Sequence, residues 1–404
     1  MTQTTPAGKT GPAPARQGMT QQRADGNRVA AGRGSLRALA PLDIPLAGTP
    51  TWVVAAPLDE GALWVVALAD GAVQAFTVQD GVGTPASITP ASLPPGAPPL
   101  LVVENGQARL VHPAGASPLT APVLLGASGL AYIDEEGALV VERNGETTVL
   151  DVNALPDARI LVDEQDRLLL LSDPTPRYDH GVLGDGLEAG AIALVETQPA
   201  LRLAQTIVIA APRVVEGIAP IWADLDGDSR REIIVTLSGY EMGAQIVAYR
   251  EDGTVMAVGP AIGRSYRWRH QLAVAPFGPN GETELVDVLT PHIGGVVEFY
   301  APEGDELTIV AQQPGYTSHV MTTRNLDMAV AGDFDGDGRV ELLLPDQARG
   351  QLGAIRHEAG GATVAWSLPV GGQIATNVAA VTLADDGLGA GVGRTDGVLR
   401  IWQP

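Results

Sequence analysis

Asp333, Asp335 and Asp337 stand at alternate positions of AGDFDGDGRVELLLP, residues 331–345, with glycine among and after them. If those glycines let the backbone curl, the carboxylates turn toward one point, and hard oxygen ligands of that kind suit Ca²⁺. An EF-hand needs a bidentate Glu at loop position twelve; counted from Asp333 that position is Leu344, and the next acid is Glu341 at the ninth. The loop is therefore of another kind. A second copy, ADLDGDSRREIIVTL, repeats it with Asp224, Asp226, Asp228 and Glu232, and with Ser229 in place of one glycine. The expected metal loops are thus Asp224, Asp226, Asp228, Arg230 and Glu232, and Asp333, Asp335, Asp337, Arg339 and Glu341, one Ca²⁺ each.

A second set of residues offers different chemistry. The chain holds only 4% aromatics and six histidines, yet a few segments gather Tyr178, His180, Tyr240, Tyr266, Trp268, His270, His292, Tyr316 and His319 with Arg177, Arg267, Arg269, Arg324 and Arg349. Aromatic rings beside arginine forks suit a sugar, a carboxylate or a peptide. A bland alternative is that these side chains close blades, their polar tips bonded to loop carbonyls. No His-x-His or His-x₃-His pair points to a transition metal. Acid–base chemistry would draw on His180, Asp179 and Asp185, although the insertion 172–188 that carries them also reads as a cap.

The elements that position both sets are short strands. Each aspartate loop runs straight into a β-branched or leucine-rich run of strand length, too short for a helix. The two copies lie 109 residues apart, about twice the length of a propeller blade. Halfway stands a damaged copy, VAPFGPNGETELVDVL, in which Pro276 and Gly278 replace the first two aspartates; it is expected to bind no ion. Each unit continues with a strand ending at Gly253, Gly304 or Gly360. Strand starts near 52, 99, 158, 218, 271, 327 and 377 give seven units, and an eighth follows if the irregular region 98–156 is cut in two. Short alternating strands with turns at this period describe an all-β fold, a β-propeller of seven four-stranded blades, with eight as the alternative, spanning 38–404 as one domain. The last unit, 376–403, has only three strand-like runs, so its fourth strand is expected from 38–46. Loops joining strands 1–2, the aspartate loops among them, leave one end of such a ring. The histidine- and arginine-bearing segments leave the other.

The D-x-D-G-D-G loops resemble the FG-GAP or VCBS-type repeats of propellers similar to integrin α-subunits, over roughly residues 50–404. The glutamate at the ninth position and Ser229 depart from that pattern. The resemblance implies a Ca²⁺-stiffened scaffold used for recognition and implies no reaction.

Composition narrows the rest. The absence of cysteine removes disulfides and thiol nucleophiles, and the single lysine, Lys9, removes Schiff-base chemistry from the ring. No apolar run approaches the roughly 18 residues of a membrane span, and no signal-like N-terminus is visible. Residues 1–37, rich in Pro, Ala and Gly, read as a disordered tail, so that removal of 1–36 is expected to be tolerated. The first 40 residues carry a formal +5, leaving −27 of the total −22 on the remainder; nucleic acid and anionic membrane are therefore poor partners. The expected function is a calcium-stabilised, extracytoplasmic recognition propeller for a glycan, peptide or protein, bound opposite the aspartate loops. A lyase- or hydrolase-like enzyme using the His/Arg/Tyr face is the alternative.

Overall fold

Continuous apolar runs bounded by turn residues make strands buried on both faces. The first two strands of the blades are built so: Pro50–Pro57 and Glu232–Gly239 each carry an unbroken buried stretch. Outer strands such as Glu306–Pro314 and Gly361–Pro369 leave much of their length exposed. Several hairpins close on Asp80-Gly81, Asn105-Gly106 and Asn144-Gly145, where both residues take φ between +49° and +81°. That two-residue turn matches the twist of antiparallel strands.

The structure, a computed structural model, describes residues 15–126 and 129–404. Among the described residues the antiparallel strands form eight radial groups, spanning 50–86, 100–111, 123–151, 161–208, 221–258, 269–314, 330–369 and 379–402. These are blades 1 to 8 of a propeller. The division falls where the sequence is least regular: region 98–156 is cut into a bare hairpin, Leu100–Glu104 with Gln107–Val111, and a four-stranded blade. Blade 8 supplies three strands of its own. Its fourth is Leu42–Pro45, antiparallel to Val398–Trp402 with Leu42 opposite Ile401, within the 38–46 segment named above.

The hydrophobic core lies between blades. Val53, Trp64 and Val66 of blade 1 pack on Ala379, Val381, Leu399 and Ile401 of blade 8, so the ring closes through side chains as well as through a shared strand. Phe277, Phe299 and Val297 of blade 6 meet Leu342, Leu344 and Ile355 of blade 7 in the same way. Among the described residues no helix is long and apolar enough to cross a membrane.

The tail boundary needs correction. Residues 1–14 lie outside the described residues, but from Ala15 onward the segment assigned to disorder runs through the middle of the ring. Arg16–Gly18 pairs with the inner strand of blade 2. The carbonyls of Ala24 and Asp25 accept from Val162 at 2.9 Å and Trp222 at 3.0 Å. The Asn27 side chain bonds both the N–H and the carbonyl of Val274, at 2.9 and 2.8 Å. Val29–Gly34 then runs parallel to Val330–Asp333 and Gly387–Arg394 as it leaves. The physical reason is that inner strands are sheet edges whose polar groups need partners. The space beside them is narrow: a Cβ on Gly18 would lie 2.4 Å from the Ala55 carbonyl oxygen, and one on Gly34 2.4 Å from that of Phe334. The small residues that make the segment look disordered are the ones that fit there.

This central segment is also pinned by charge. Arg28 Nε and Arg159 Nη1 both donate to Asp327 Oδ1, at 3.0 and 2.7 Å, and all three side chains are buried. Despite that burial, the two guanidiniums hold the Asp327 carboxyl below its usual range. Removal of residues 1–36 is therefore expected to abolish the cooperative unfolding transition, contrary to the reading of a dispensable tail. Asp327→Ala, which strands two buried cations, should cost about 3–5 kcal/mol in urea unfolding. A truncated protein as stable as the full chain would refute the role of the segment.

Candidate functional site

Both aspartate loops are strand 1–2 connections, in blades 5 and 7. Their backbones coincide bond for bond. Asp224 accepts the N–H groups of Gly227 and Ser229 at 2.8 and 3.0 Å, and Asp333 those of Gly336 and Gly338 at 2.8 and 3.0 Å. Gly336 and Gly338 have φ of +80° and +90°; Ser229 takes +68° where its counterpart has glycine, which explains why that departure leaves the loop shape intact. The ninth-position glutamates are fully buried. One oxygen of each ties the loop together, Glu232 Oε2 accepting from Leu225 N–H at 2.9 Å and Glu341 Oε2 from Phe334 N–H at 2.8 Å. The other oxygen turns toward the aspartates, so that Asp224, Asp226 and Glu232, and likewise Asp333, Asp335 and Glu341, bring ligand oxygens within 4.8 Å of one another.

Asp228 and Asp337, also expected as ligands, stand outside those two clusters. Each caps the N–H two residues on, that of Arg230 at 2.8 Å and of Arg339 at 3.0 Å. The Arg339 side chain turns away to Glu358. Missed from the sequence are two arginines, Arg250 just past the third strand of blade 5 and Arg356 on the third strand of blade 7. Arg250 approaches Asp226, Asp228 and Glu232 at 3.3, 3.4 and 3.7 Å with its side chain 40% exposed. Arg356 bonds Asp335 at 2.9 Å, Asp337 at 2.8 Å and Glu341, and is 9% exposed. The first loop fits a hard divalent cation, because Glu232 Oε1 is buried without a hydrogen-bond partner. In the second, the corresponding oxygens are already taken. The damaged loop of blade 6 directs Glu284 to His357 Nδ1 at 2.9 Å instead.

At the other end of the strands, the 176–187 segment folds over the ring axis. Val182 and Leu183 pack on Ile218, Trp268 and Leu326. The segment is tied down by Thr322 N–H donating to the Val182 carbonyl at 2.8 Å, and by Arg324, which bonds Asp157 at 2.7 Å and also Asp185. Beside it the rare side chains do converge. His180 stacks on Tyr266 with centroids 5.3 Å apart, Tyr178 lies 5.2 Å and Tyr240 5.7 Å from Tyr266. Trp268 stacks on His270 at 4.7 Å and His292 at 5.9 Å, and meets His319 edge-on at 5.2 Å.

Not every expected residue joins them. Arg269 and His270 are neighbours in the strand Arg269–Ala275, so alternation sends Arg269 to the face away from His270 and Trp268; there it is buried against Asp287, Glu298 and Tyr300. Burial pushes the Asp287 carboxyl up to about 8. Tyr316 packs over Gly353, and Arg349 donates to the Ile374 carbonyl at 2.9 Å. Arg267 is exposed. Two carboxylates went unnoticed in the sequence: Glu216, fully buried, accepts His180 Nδ1 at 2.6 Å and bonds Ser238, and Glu188 accepts Gly217 N–H at 3.2 Å. Burial holds both carboxyls above the usual range. They come from separate strands, with no local motif to flag them.

His292 and His319 are wired as neutral rings. Thr323 carbonyl accepts from His319 Nε2 at 2.8 Å, which leaves His319 Nδ1 to accept from His292 Nε2, also at 2.8 Å. Burial pushes His319 down to about 3 and His292 to about 4. Among the described residues the groups that could hold a metal are the two carboxylate clusters, and no histidine belongs to either.

Because these rings are held neutral when folded, the unfolded chain takes up their protons first. Their stabilisation is complete above pH 6.5 and is lost as pH falls toward 4. The raised carboxyls act in the opposite sense, so the difference between proteins is the quantity to read. Relative to the parent, His319→Gln should show an acid limb flatter by on the order of 3 kcal/mol between pH 7 and 4. Denaturant titrations at several pH values measure it; parallel curves would contradict the wiring.

No family model and no curated protein matches the chain. Among solved structures it is similar to a europium-containing methanol dehydrogenase, at 9% identity and a TM-score of 0.56, over 94% of this chain and 90% of that one. It is also similar to the Dos1 propeller, at 9% identity and a TM-score of 0.48 over 91% and 96% of the two chains. The WD40 β-propeller domain of Doa1 follows, at 12% identity and 0.40 over 90% and 95%. At such identities the likeness to the dehydrogenase extends to the fold alone, and that fold is the β-propeller.

Proposed function

We propose that the chain is a recognition scaffold of the FG-GAP or VCBS-repeat type, which binds a protein partner on the end opposite its aspartate loops. One observation carries this reading. Tyr240, Met242, Tyr266, Ile293 and Met321 are 46, 42, 45, 81 and 52% exposed, in a chain with only seven tyrosines and six methionines. All five lie in strand 2–3 loops or blade connections of blades 5 and 6. Clustered exposed apolar side chains mark interaction surfaces, and the mixture of methionine and isoleucine with tyrosine suits a protein better than a glycan. The exposed Arg267 adds a cation that favours an acidic segment in the partner, while Arg264, set over Tyr240 at 5.2 Å, pairs with Glu241 at 3.4 Å.

Calcium belongs to the same proposal at Asp224, Asp226 and Glu232. An acidic loop of this size binds in the range of about 10⁻⁴–10⁻³ M usual for extracellular modules, consistent with an extracytoplasmic location. A second reading, a hydrolase- or lyase-like enzyme, draws support from the His180–Glu216 pair, in which a buried carboxylate orients an imidazole.

The test is a peptide and glycan array probed with the full chain. Acidic peptides should be retained, and Tyr266→Ala and Tyr240→Ala should each weaken the best of them at least tenfold, about 1.4 kcal/mol, with Asp226→Ala leaving binding intact. Retention lost in Asp226→Ala alone would reverse the assignment of ends. Turnover of a bound compound that disappears in His180→Gln would favour the enzyme.

A further inference from the structure

The two aspartate loops look alike in sequence and backbone, yet they differ in what stands among their carboxylates. In blade 7, Arg356 lies directly across the sheet from Glu341, one position beyond the Leu342–Ile355 pair. Its Nη2 reaches Asp335 Oδ1 at 2.9 Å and Glu341 Oε1, while its Nη1 reaches Asp337 Oδ2 at 2.8 Å. A planar guanidinium with forked donors is well matched to several carboxylates at once. It sits where a divalent ion would have to sit, and uses the same lone pairs.

Two other blades act as internal controls. Blade 5 has Arg250 at the same cross-strand position opposite Glu232, one beyond the Ile233–Tyr249 pair, but four times as exposed as Arg356 and with longer contacts of 3.3–3.7 Å. There the buried Glu232 Oε1 remains without a hydrogen bond. Blade 6 lacks the aspartates, and it also lacks the arginine: Ala301 stands opposite Glu284, one beyond the Leu285–Tyr300 pair. Arginine and aspartates occur together and are missing together.

We propose that Arg356 is the resident cation of the 333–341 loop, and that this loop takes no divalent ion although its aspartates match those of 224–232. A bound dication would have to displace a buried, triply bonded guanidinium or share its carboxylates at like-charge repulsion. The loop of blade 7 is stiffened by the chain itself, independently of the ionic medium. The loop of blade 5, with a half-exposed arginine free to swing out, keeps the capacity for a metal.

Equilibrium dialysis of the full chain against CaCl₂ tests this, together with melting in EDTA and in excess Ca²⁺. Asp335→Ala is expected to bind as much Ca²⁺ as the parent, whereas Arg356→Ala should bind one equivalent more, melt lower in EDTA and recover in Ca²⁺. Loss of bound Ca²⁺ in Asp335→Ala, or no gain in Arg356→Ala, would overturn the proposal. If Arg356→Ala does not fold in EDTA, refolding it in Ca²⁺ supplies the same comparison, and failure there too counts against it. The calcium reading of 224–232 is judged separately, by whether Asp226→Ala abolishes binding in the parent.

Discussion

Sheets set radially in a ring keep a short outer edge each and turn a second, inner edge toward the axis. Every inner strand turns one row of backbone N–H and C=O groups toward the axis, where there is too little room for a layer of bulky side chains. In this protein the chain solves the problem with itself. Residues 15–34 thread the axis, pair with inner strands on several sides and leave between blades 7 and 8. The tight approach of Gly18 and Gly34 to carbonyl oxygens is the consequence.

The same segment answers an electrostatic demand. Residues 41–404 carry a formal charge of −27, and the stretch they surround, 15–34, carries four arginines and one aspartate, a formal +3. Arg16 and Arg28 pair with Asp59 and Asp327 of the ring, while Arg23 pairs with Asp25 of its own segment, which also meets Arg231 of the ring. What reads in the sequence as a basic tail beside an acidic domain is, in the fold, an internal counter-charge. Asp327 is the node, joining the axial segment to Arg159 at the edge of blade 4 and to its own place before blade 7.

The axial segment runs along the middle and the 176–187 segment covers one end, so the open space that remains lies in cavities bordered by Arg23, one of them reaching Asp224 of the first aspartate loop. At one end the carboxylates are organised by backbone N–H groups before any cation arrives. At the other, burial keeps His292 and His319 neutral and turns them into hydrogen-bonding struts around Trp268. Tyr240 and Tyr266 stay outside this packing, half exposed. Alternation sorts a further pair by face: Trp268 and His270 share one side, while Arg269 between them is spent on Asp287 and Glu298.

The sequence by itself determined the strand periodicity, the propeller class, the two loop backbones and the segment that completes blade 8, because those are local or repeating patterns of turns, apolar runs and spacing. Glu232 and Glu341 were legible as loop members for the same reason. Only the tertiary structure decided the fate of residues 15–34, because a Gly- and Ala-rich stretch is fitted to a narrow axis by contacts hundreds of residues away. It alone decided that Glu216 meets His180 and that Arg356 meets Asp335, since partners on different strands leave no mark in local spacing. It also set the count of blades at eight among the described residues, because the short hairpin 100–111 becomes a blade only when Arg16–Gly18 lies down beside it.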